Sequence, residues 1–379
     1  MKSNFDFLNR YWPALAQIGA TAETYAYSDP NACIYKLGMF AERLVQEILV
    51  FEHIAEPAVD NTHANRIRIL KRAGLLPHEI DNTLYVLRKT RNTAVHTGTD
   101  SVDEAKTLLS LTYNLAVWFM ETYGDWGYIA PEFVMPSETT HEDLESVIAE
   151  QERKIEELTK QLAVVKTAAS GKTQKERAKR SESVSAMMNW NEAQTRCLID
   201  EQLRLSGWEA DMQNLRYSKG TRPVKGRNIA ISEWPTNSAF YKNGYADYAF
   251  FVGEKLVALM DAKKMSEDVA STIDVQVKDY AAHIKPEDLP YTVGNWNGYQ
   301  VPFLFASNGR AYLEQLRTKS GIWFLDVREQ ENQPYPIRNW FSPSDLMEKL
   351  GQNTVAANRS LAAADNSFMT DPNGLNIDI

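Results

Sequence analysis

Apolar residues recur every three or four positions through the first third of the chain. In Phe40-Ala41-Glu42-Arg43-Leu44-Val45-Gln46-Glu47-Ile48-Leu49-Val50, residues Phe40, Leu44 and Ile48 fall on one stripe at helical spacing. Further helices are predicted over Asn65 to Ala73, Asn82 to Ala94 and Val102 to Tyr123. Asp100 or Ser101 would cap the last, with Glu104 in its first turn. Residues 1–135 therefore read as an α-helical bundle. From His141 to Val165 the period becomes seven: Ile148, Ile155 and Leu162 form one seam, and Leu158 and Val165 the other, with Gln151 weakening the register. This predicts a short coiled coil, either a connector or a homodimer zipper. Lys166 to Ser185 is polar and carries Lys172, Lys175, Arg177, Lys179 and Arg180 against Glu176 and Glu182. It reads as a solvated linker, the sharper alternative being a basic arm that touches phosphates. Coil and linker together span 136–187.

Beyond residue 188 apolar runs alternate with helical stretches up to about 348. Glu192 to Ser206 is an amphipathic helix with Leu198, Ile199, Leu203 and Leu205 as its apolar set, ended by Gly207. Trp208-Glu209-Ala210 begins an extended segment, and Thr221 to Tyr241 looks like a loop insertion. A hairpin follows: Tyr245 to Val252, a turn at Gly253-Glu254, and the continuous apolar run Leu256-Val257-Ala258-Leu259-Met260. A strand apolar on both faces belongs inside a sheet. Helices are predicted over Thr272 to His283 and Ala311 to Thr318, and strands over Val301 to Ser307 and Ile322 to Asp326. This alternation predicts a mixed α/β sheet covered on both faces. The chain is thus an α+β multidomain protein, with a loose tail over 349–379.

Composition changes this picture little. Hydrophobic content of 44% and 24% charge are those of a globular protein with sizeable cores. The net charge of −9 means that nucleic-acid contact requires a local basic surface. Two cysteines, Cys33 and Cys197, exclude a disulfide framework and a cysteine-based zinc site. No apolar run approaches a membrane span. Met1-Lys2-Ser3-Asn4-Phe5 carries no signal-peptide pattern, so a cytoplasmic location is expected.

The chemistry gathers at the hairpin. Asp247 stands at one end of the first strand, and Asp261-Ala262-Lys263-Lys264 closes the second. Charges ending a buried strand need partners or a metal. Phosphodiester cleavage needs an activated water, charge neutralisation at phosphorus and help for the leaving oxygen, which Mg²⁺ (or Mn²⁺) held by one or two carboxylates supplies. Asp247 and Asp261 are the candidate ligands, with the Ala262 backbone carbonyl as a third. Lys263, two residues past Asp261, points to the same face and would orient the water or offset developing charge. Lys264 points to the other. Gln276 and Tyr280 lie one helical turn apart on the following helix and would face the same cleft. Glu192 is an extra candidate carboxylate; read alone it is an N-terminal helix charge. Geometry sets a condition. The two aspartates share a face only if the hairpin loop is three residues long, Gly253-Glu254-Lys255, or if a bulge accompanies a two-residue turn.

At these residues the chain resembles the PD-(D/E)XK nuclease superfamily, and more narrowly the amino-terminal part of the restriction (R) subunit of type I restriction-modification enzymes. The matching pieces are Glu192-Ala193-Gln194-Thr195-Arg196 with Leu198-Ile199-Asp200, Gly244-Tyr245-Ala246-Asp247-Tyr248, Asp261-Ala262-Lys263-Lys264, Gln276-Val277-Lys278-Asp279-Tyr280 and Pro302-Phe303-Leu304-Phe305-Ala306-Ser307-Asn308-Gly309. The resemblance covers about 188–345. It implies a Mg²⁺-dependent catalytic core of Asp247, Asp261 and Lys263, flanked by a Gln-x-x-x-Tyr motif at Gln276 and Tyr280. Ala246 replaces the proline of the superfamily's name, and Asp261 the more usual Glu. Such subunits continue into a DNA-translocating ATPase, but this sequence has no G-x-x-x-x-G-K-[ST] loop: Gly171-Lys172-Thr173 lacks the upstream glycine. No ATP site is expected here, and the chain reads as either a fragment of such a subunit or a stand-alone phage-defence relative without the motor, which would then be a separate partner.

The amino-terminal bundle resembles HEPN domains, and within them the DUF4145 group often fused to type I R subunits. Arg91-Asn92-Thr93-Ala94-Val95-His96 fits their R-x(4–6)-H motif. In active members this implies metal-independent RNA cleavage, with Arg91 and His96 supplying charge stabilisation and acid–base chemistry and Asn92 positioning the substrate or the histidine. The residues alone read as helix-end groups making structural bonds. The leading expectation is a Mg²⁺-dependent DNA endonuclease working with methyltransferase, specificity or motor subunits. The alternatives are a HEPN-type ribonuclease toxin and a non-catalytic assembly subunit. Lys264, Lys278, Lys172, Lys175, Arg177, Lys179 and Arg180 are candidate nucleic-acid contacts.

Overall fold

Two prolines begin the helical part of the molecule. Pro13 opens α1 (Pro13–Tyr25) and Pro30 opens α2 (Pro30–Phe51), positions where a missing N–H leaves no helical bond unmade. The structure, a computed structural model, describes residues 3–56, 59–97, 101–138, 144–159, 167–188, 190–238, 244–267, 269–310, 312 and 317–352. It divides into two compact units: residues 1–202 with 262–268 and 307–321, and residues 203–261 with 269–306 and 322–379.

In the first unit α3 (His63–Arg72), α4 (His78–Thr97) and α5 (Val102–Phe119) complete the expected bundle. Of the two capping candidates, Ser101 does the work: its hydroxyl accepts from the Glu104 N–H at 3.2 Å. The stripe Phe40, Leu44 and Ile48 is fully buried against Leu15, Leu37, Leu108 and Trp118.

The next two helices differ from their sequence reading. The heptad segment forms α6 (Leu144–Thr159), which packs within this unit. Ile155 is buried in the bundle core, and Lys36 pairs with Glu152 at 2.6 Å. Gln151, the polar seam residue, accepts from the Thr24 hydroxyl at 3.4 Å. Leu162 and Val165 lie outside the described residues.

The segment read as a linker contains α7 (Gln174–Met187), started by a Thr173–Glu176 capping box. It is a packed helix. Arg177 Nε donates to Glu52 Oε1 at 2.8 Å, Arg180 Nε to the Glu121 carbonyl at 3.1 Å, and Trp118 Nε1 to Ser181 Oγ at 3.2 Å. Low hydrophobicity hid this helix, because it docks through ion pairs and small hydroxyls. The basic arm is accordingly dismantled. Arg177 and Arg180 face inward, Lys172 lies over the Trp126 ring, and Lys175 and Lys179 remain exposed.

α8 (Glu192–Leu205) buries Leu198, Ile199 and Leu203 as expected, but Leu205 is 64% exposed. Gly207, at φ +91°, then turns the chain out of the helix.

The second unit is built on seven strands in chain order: β1 (Glu209–Ala210), β2 (Asn228–Pro235), β3 (Tyr245–Val252), β4 (Lys255–Ala262), β5 (Phe303–Ser307), β6 (Ile322–Asp326) and β7 (Tyr335–Pro336). β1 and β2 pair in parallel, whereas β2–β3, β3–β4 and β6–β7 are antiparallel, giving a mixed sheet. β2 lies inside the segment read as a loop insertion. Its apolar run, Ile229-Ala230-Ile231, is too short to announce a strand.

One face of the sheet is covered by a continuous helical run made of α9 (Ala270–Thr272), a π-helical turn (Ile273–Val277) and α10 (Lys278–Ala282). Ile273, Val277, Tyr280 and Ala281 pack there with Ala249, Phe251, Leu256 and Leu259. The rings of Phe250, Phe305, Phe324 and Trp340 form a second cluster. α11 (Pro343–Gly351) closes the described part, and 353–379, read as a tail, lies outside it. The helix expected over 311–318 falls largely outside as well, leaving a 3-10 turn at Arg317–Lys319. Among the described residues no helix is long and apolar enough to cross a membrane.

Truncating Arg177 should expose how firmly α7 is held. The Glu52 side chain is fully buried against it, so Arg177→Ala leaves an uncompensated charge and is expected to lower unfolding free energy by about 3–5 kcal/mol. Urea denaturation of the full chain measures this; a solvated linker would give no change.

Candidate active site

The β3–β4 hairpin is closed by a two-residue turn, with Val252 opposite Lys255 and Phe251 opposite Leu256. Gly253 supplies the positive φ, +62°, that this turn needs. Continued unchanged, that register would send Asp247 and Asp261 to opposite faces. It does not continue: the pairing shifts between Phe250 and Phe251, so that Phe250 opposes Ala258 and Val257 becomes the surplus residue of a bulge. Ala249 then faces Leu259 and Tyr248 faces Met260. Continued one step, that register would set Asp247 opposite Asp261. Directly opposed residues share a face, with Cβ atoms about 4.5–5.5 Å apart. The condition set by the sequence is met through its second branch, a bulge beside a two-residue turn.

Alternation puts both aspartates on the face of Ala249 and Leu259, beneath the helical run. Asp247 is 5% exposed and Asp261 3%. Gln276 Nε2 donates to Asp261 Oδ1 at 2.7 Å and lies 2.6 Å from Tyr280 Oη, so the Gln-x-x-x-Tyr pair reaches the acid row. Gln276 is carried by the π-helical turn, a local widening that recurs at functional sites.

The remaining predicted residues divide. Ala262 ends β4 and is buried. Lys263 follows the strand end, half-buried, with its backbone N–H donating to the Ser307 carbonyl at 2.8 Å. Lys264 is exposed, and Lys278 pairs with Asp274 at 2.7 Å. Glu192 is exposed at the first position of α8; the buried acids of that helix are Asp200 and Glu201. Among the described residues no group of three or more His, Cys, Asp and Glu side chains could hold a metal ion. Asp247 and Asp261 are two buried carboxylates on one face of the hairpin. That pair suits a small hard dication such as Mg²⁺, which takes one or two carboxylates and keeps several waters.

Sequence reading missed Glu233. Ser232 opposes Tyr248 and Trp234 opposes Ala246, so Glu233 stands level with Asp247 on the next strand. Its φ is +54°, left-handed for a non-glycine residue, at a cost of about 1–3 kcal/mol. Glu233 Oε1 accepts from Arg216 Nη2 at 2.7 Å, while the buried Trp234 ring lies tilted against Phe251 with centroids 4.8 Å apart. Nothing local in Ser232-Glu233-Trp234-Pro235 signals that backbone state.

In the helical unit Arg91 is held by Glu42 at 2.6 Å, and Arg66 reaches the same carboxylate at 3.1 Å. Gly38 makes room for the arginine stem; a Cβ there would meet Arg91 Cδ at 2.3 Å. Burial pushes the Glu42 carboxyl up, but the hydrogen bond and charge of Arg91 outweigh it and hold Glu42 below the usual carboxylate range. Asn92 is exposed, and the His96 side chain lies outside the described residues. His63 is a buried imidazole whose ring nitrogens find no hydrogen-bond partner among the described residues. Burial, reinforced by Arg88, Arg91 and Arg66 against the opposing pull of Glu42, lowers its pKa to about 4.

Residues 209–350 match the family model described as the second domain of the type I restriction enzyme EcoKI endonuclease subunit. Across an alignment of 448 residues the chain is 29% identical to the type I restriction enzyme EcoKI endonuclease subunit of Escherichia coli (strain K12), covering 98% of this chain and 38% of that protein. The chain thus spans well under half the length of this curated relative, and it is similar to a region of a type I restriction subunit. No solved structure matches it.

The depressed histidine has a consequence for acid stability. Below the unfolded value of about 6.5 the unfolded chain binds a proton that native His63 refuses down to about 4. Its contribution is complete above that upper value and is lost as pH falls through the window. Denaturant melts between these limits should show wild type losing more stability than His63→Gln; equal losses would count against a neutral buried imidazole.

Proposed function

We propose that the sheet unit carries a Mg²⁺- or Mn²⁺-dependent DNA endonuclease site of the PD-(D/E)XK type, and that the chain is the cutting region of a restriction system. One observation carries the reading: the Val257 bulge sets the strand register that puts Asp247 and Asp261 on one buried face. The matched relative is named an endonuclease subunit of a restriction enzyme, which supports phosphodiester hydrolysis as the chemistry.

Asp247 and Asp261 would hold the metal ion, with the Ala262 carbonyl as a further oxygen donor. When bound, the ion supplies Lewis acidity and offsets the charge that builds on the phosphate. The residues do the rest. Lys263 follows the second ligand by two positions and would present its ammonium to the attacking water or to a phosphate oxygen. Gln276 fixes the rotamer of Asp261 through its amide, and Tyr280 fixes Gln276 in turn. Such outer support keeps ligands within the narrow geometry that catalysis needs. Asp261, one methylene shorter than Glu, would still offer a carboxylate oxygen to the ion. The chain has no Walker-type loop, so motor, methyltransferase and specificity functions would come from partners or from other parts of a longer protein.

Purified protein with supercoiled plasmid and with RNA, each in Mg²⁺ or EDTA, tests the reading. Nicking should require the metal. Asp247→Ala, Asp261→Ala and Lys263→Ala should each lower it by about 10³-fold, the scale of losing a principal electrostatic group. Gln276→Ala should cost about 10–100-fold, as outer-sphere changes do. RNA cleavage that persists in EDTA and vanishes in His96→Ala would instead make the helical unit the active one. Full activity of all these variants in an assembled complex would leave the chain a scaffold.

A further inference from the structure

We infer that the loop from Arg216 to Arg227 is the surface on which the sheet unit receives the phosphate backbone of duplex DNA, an inference that rests on the nuclease reading above. The chain as a whole carries a net charge of −9, yet from Met212 to Ser232 it holds five cations and no Asp or Glu. Arg216, Lys219, Arg222 and Lys225 follow at every third position, and Arg227 closes the series. Because the global field repels a polyanion, attraction must come from such a local concentration of charge.

The loop is built, not merely basic. The Arg216 carbonyl accepts from the N–H groups of Lys219 and Thr221 at 3.1 and 3.2 Å, and the Val224 carbonyl accepts from Arg227 at 3.1 Å. The Arg227 carbonyl accepts from the Gly253 N–H at 2.8 Å, tying the loop to the β3–β4 turn. Arg222 lies 3.7 Å over the Tyr217 ring, which fixes its planar donors. Lys219, Arg222 and Lys225 are exposed. Lys225 makes a loose contact with Glu254 at 3.8 Å, a weak pair between two solvated groups.

Position completes the argument. Arg216 bridges to Ser232 on β2, and its guanidinium holds Glu233, which stands level with Asp247. Strands repeat at about 4.8 Å, so the loop begins one or two strands from the carboxylate row. Acids that gather a metal also repel phosphate, and a cationic border beside them lets a DNA strand approach. The left-handed Glu233 turns its carboxylate toward Arg216, so this acid supports the border rather than adding a third negative charge to the row. In α7 Arg177 and Arg180 are committed to Glu52 and Glu121; in the loop Arg216 and Arg227 pair with Glu233 and Glu209, and Lys219, Arg222 and Lys225 are exposed.

Fluorescence anisotropy of a labelled duplex, with the full chain in EDTA and a series of salt concentrations, tests the assignment. Combined Lys219→Ala, Arg222→Ala and Lys225→Ala should flatten the plot of log K against log salt by about 2–3 and weaken low-salt binding by roughly tenfold or more. The charge-keeping set Lys219→Arg, Arg222→Lys and Lys225→Arg should retain the wild-type slope, as should Lys172→Ala, Lys175→Ala and Lys179→Ala combined. An unchanged slope in the first variant overturns the inference. So does a wild type that fails to bind duplex, or one that binds single-stranded RNA as tightly through the same loop. Binding in EDTA is independent of cutting. A chain that binds through the loop but never nicks overturns the nuclease reading alone; one that nicks while the loop variant binds normally overturns this inference alone.

Discussion

Two carboxyl side chains set on one buried face of a hairpin form the constraint on which the sheet unit depends. Asp247 and Asp261 are brought level by one surplus residue, Val257, in an otherwise regular ladder. Gln276 donates to Asp261 from a helix that the apolar cluster of Ile273, Val277 and Ala281 presses onto the sheet. Packing energy from the apolar face therefore holds the polar face in its geometry, a common division of labour between core and site.

The helical unit manages charge in a different way. Glu52 with Arg177, Glu42 with Arg66 and Arg91, and Lys36 with Glu152 each join elements far apart in the chain. Buried pairs of this kind add little net stability but penalise any arrangement that separates them. They give α6 and α7 defined seats on the bundle where hydrophobic pattern alone would leave them loose. Arg91 shows the other side of that economy: the guanidinium of the R-x(4–6)-H motif is engaged by Glu42 and stacked on Tyr35.

Much of this was legible in the sequence, and the failures have physical reasons. Helical period marked α2, α4 and α5, and unbroken apolar runs marked β3, β4 and β5, because burial of one stripe or of two faces leaves a direct trace. Asp247, Asp261, Gln276 and Tyr280 stand out as residue types at strand ends and one helical turn apart; the structure joins Gln276 to Asp261 and to Tyr280, and strand alternation puts Asp247 on the same face. What escaped was whatever burial does not encode. α7 docks through arginines and serines and read as a linker; α6 kept its seven-residue repeat but uses Ile155 inside the bundle; β2 was too short in apolar residues to stand out. Glu233 was missed because a left-handed glutamate has no local signature.

The hairpin also has an arithmetic of its own. A three-residue connection with no bulge pairs Val252 with Leu256 and yields the same facing of the two acids as the two-residue turn with Val257 set aside. The extra residue can thus sit at the tip or inside the strand without changing which side chains meet. Insertions and deletions in this hairpin are governed by parity: a change of two residues between the acids keeps them face to face, and a change of one separates them. In homologous chains, hairpin tip length and strand irregularity should therefore vary as a compensating pair.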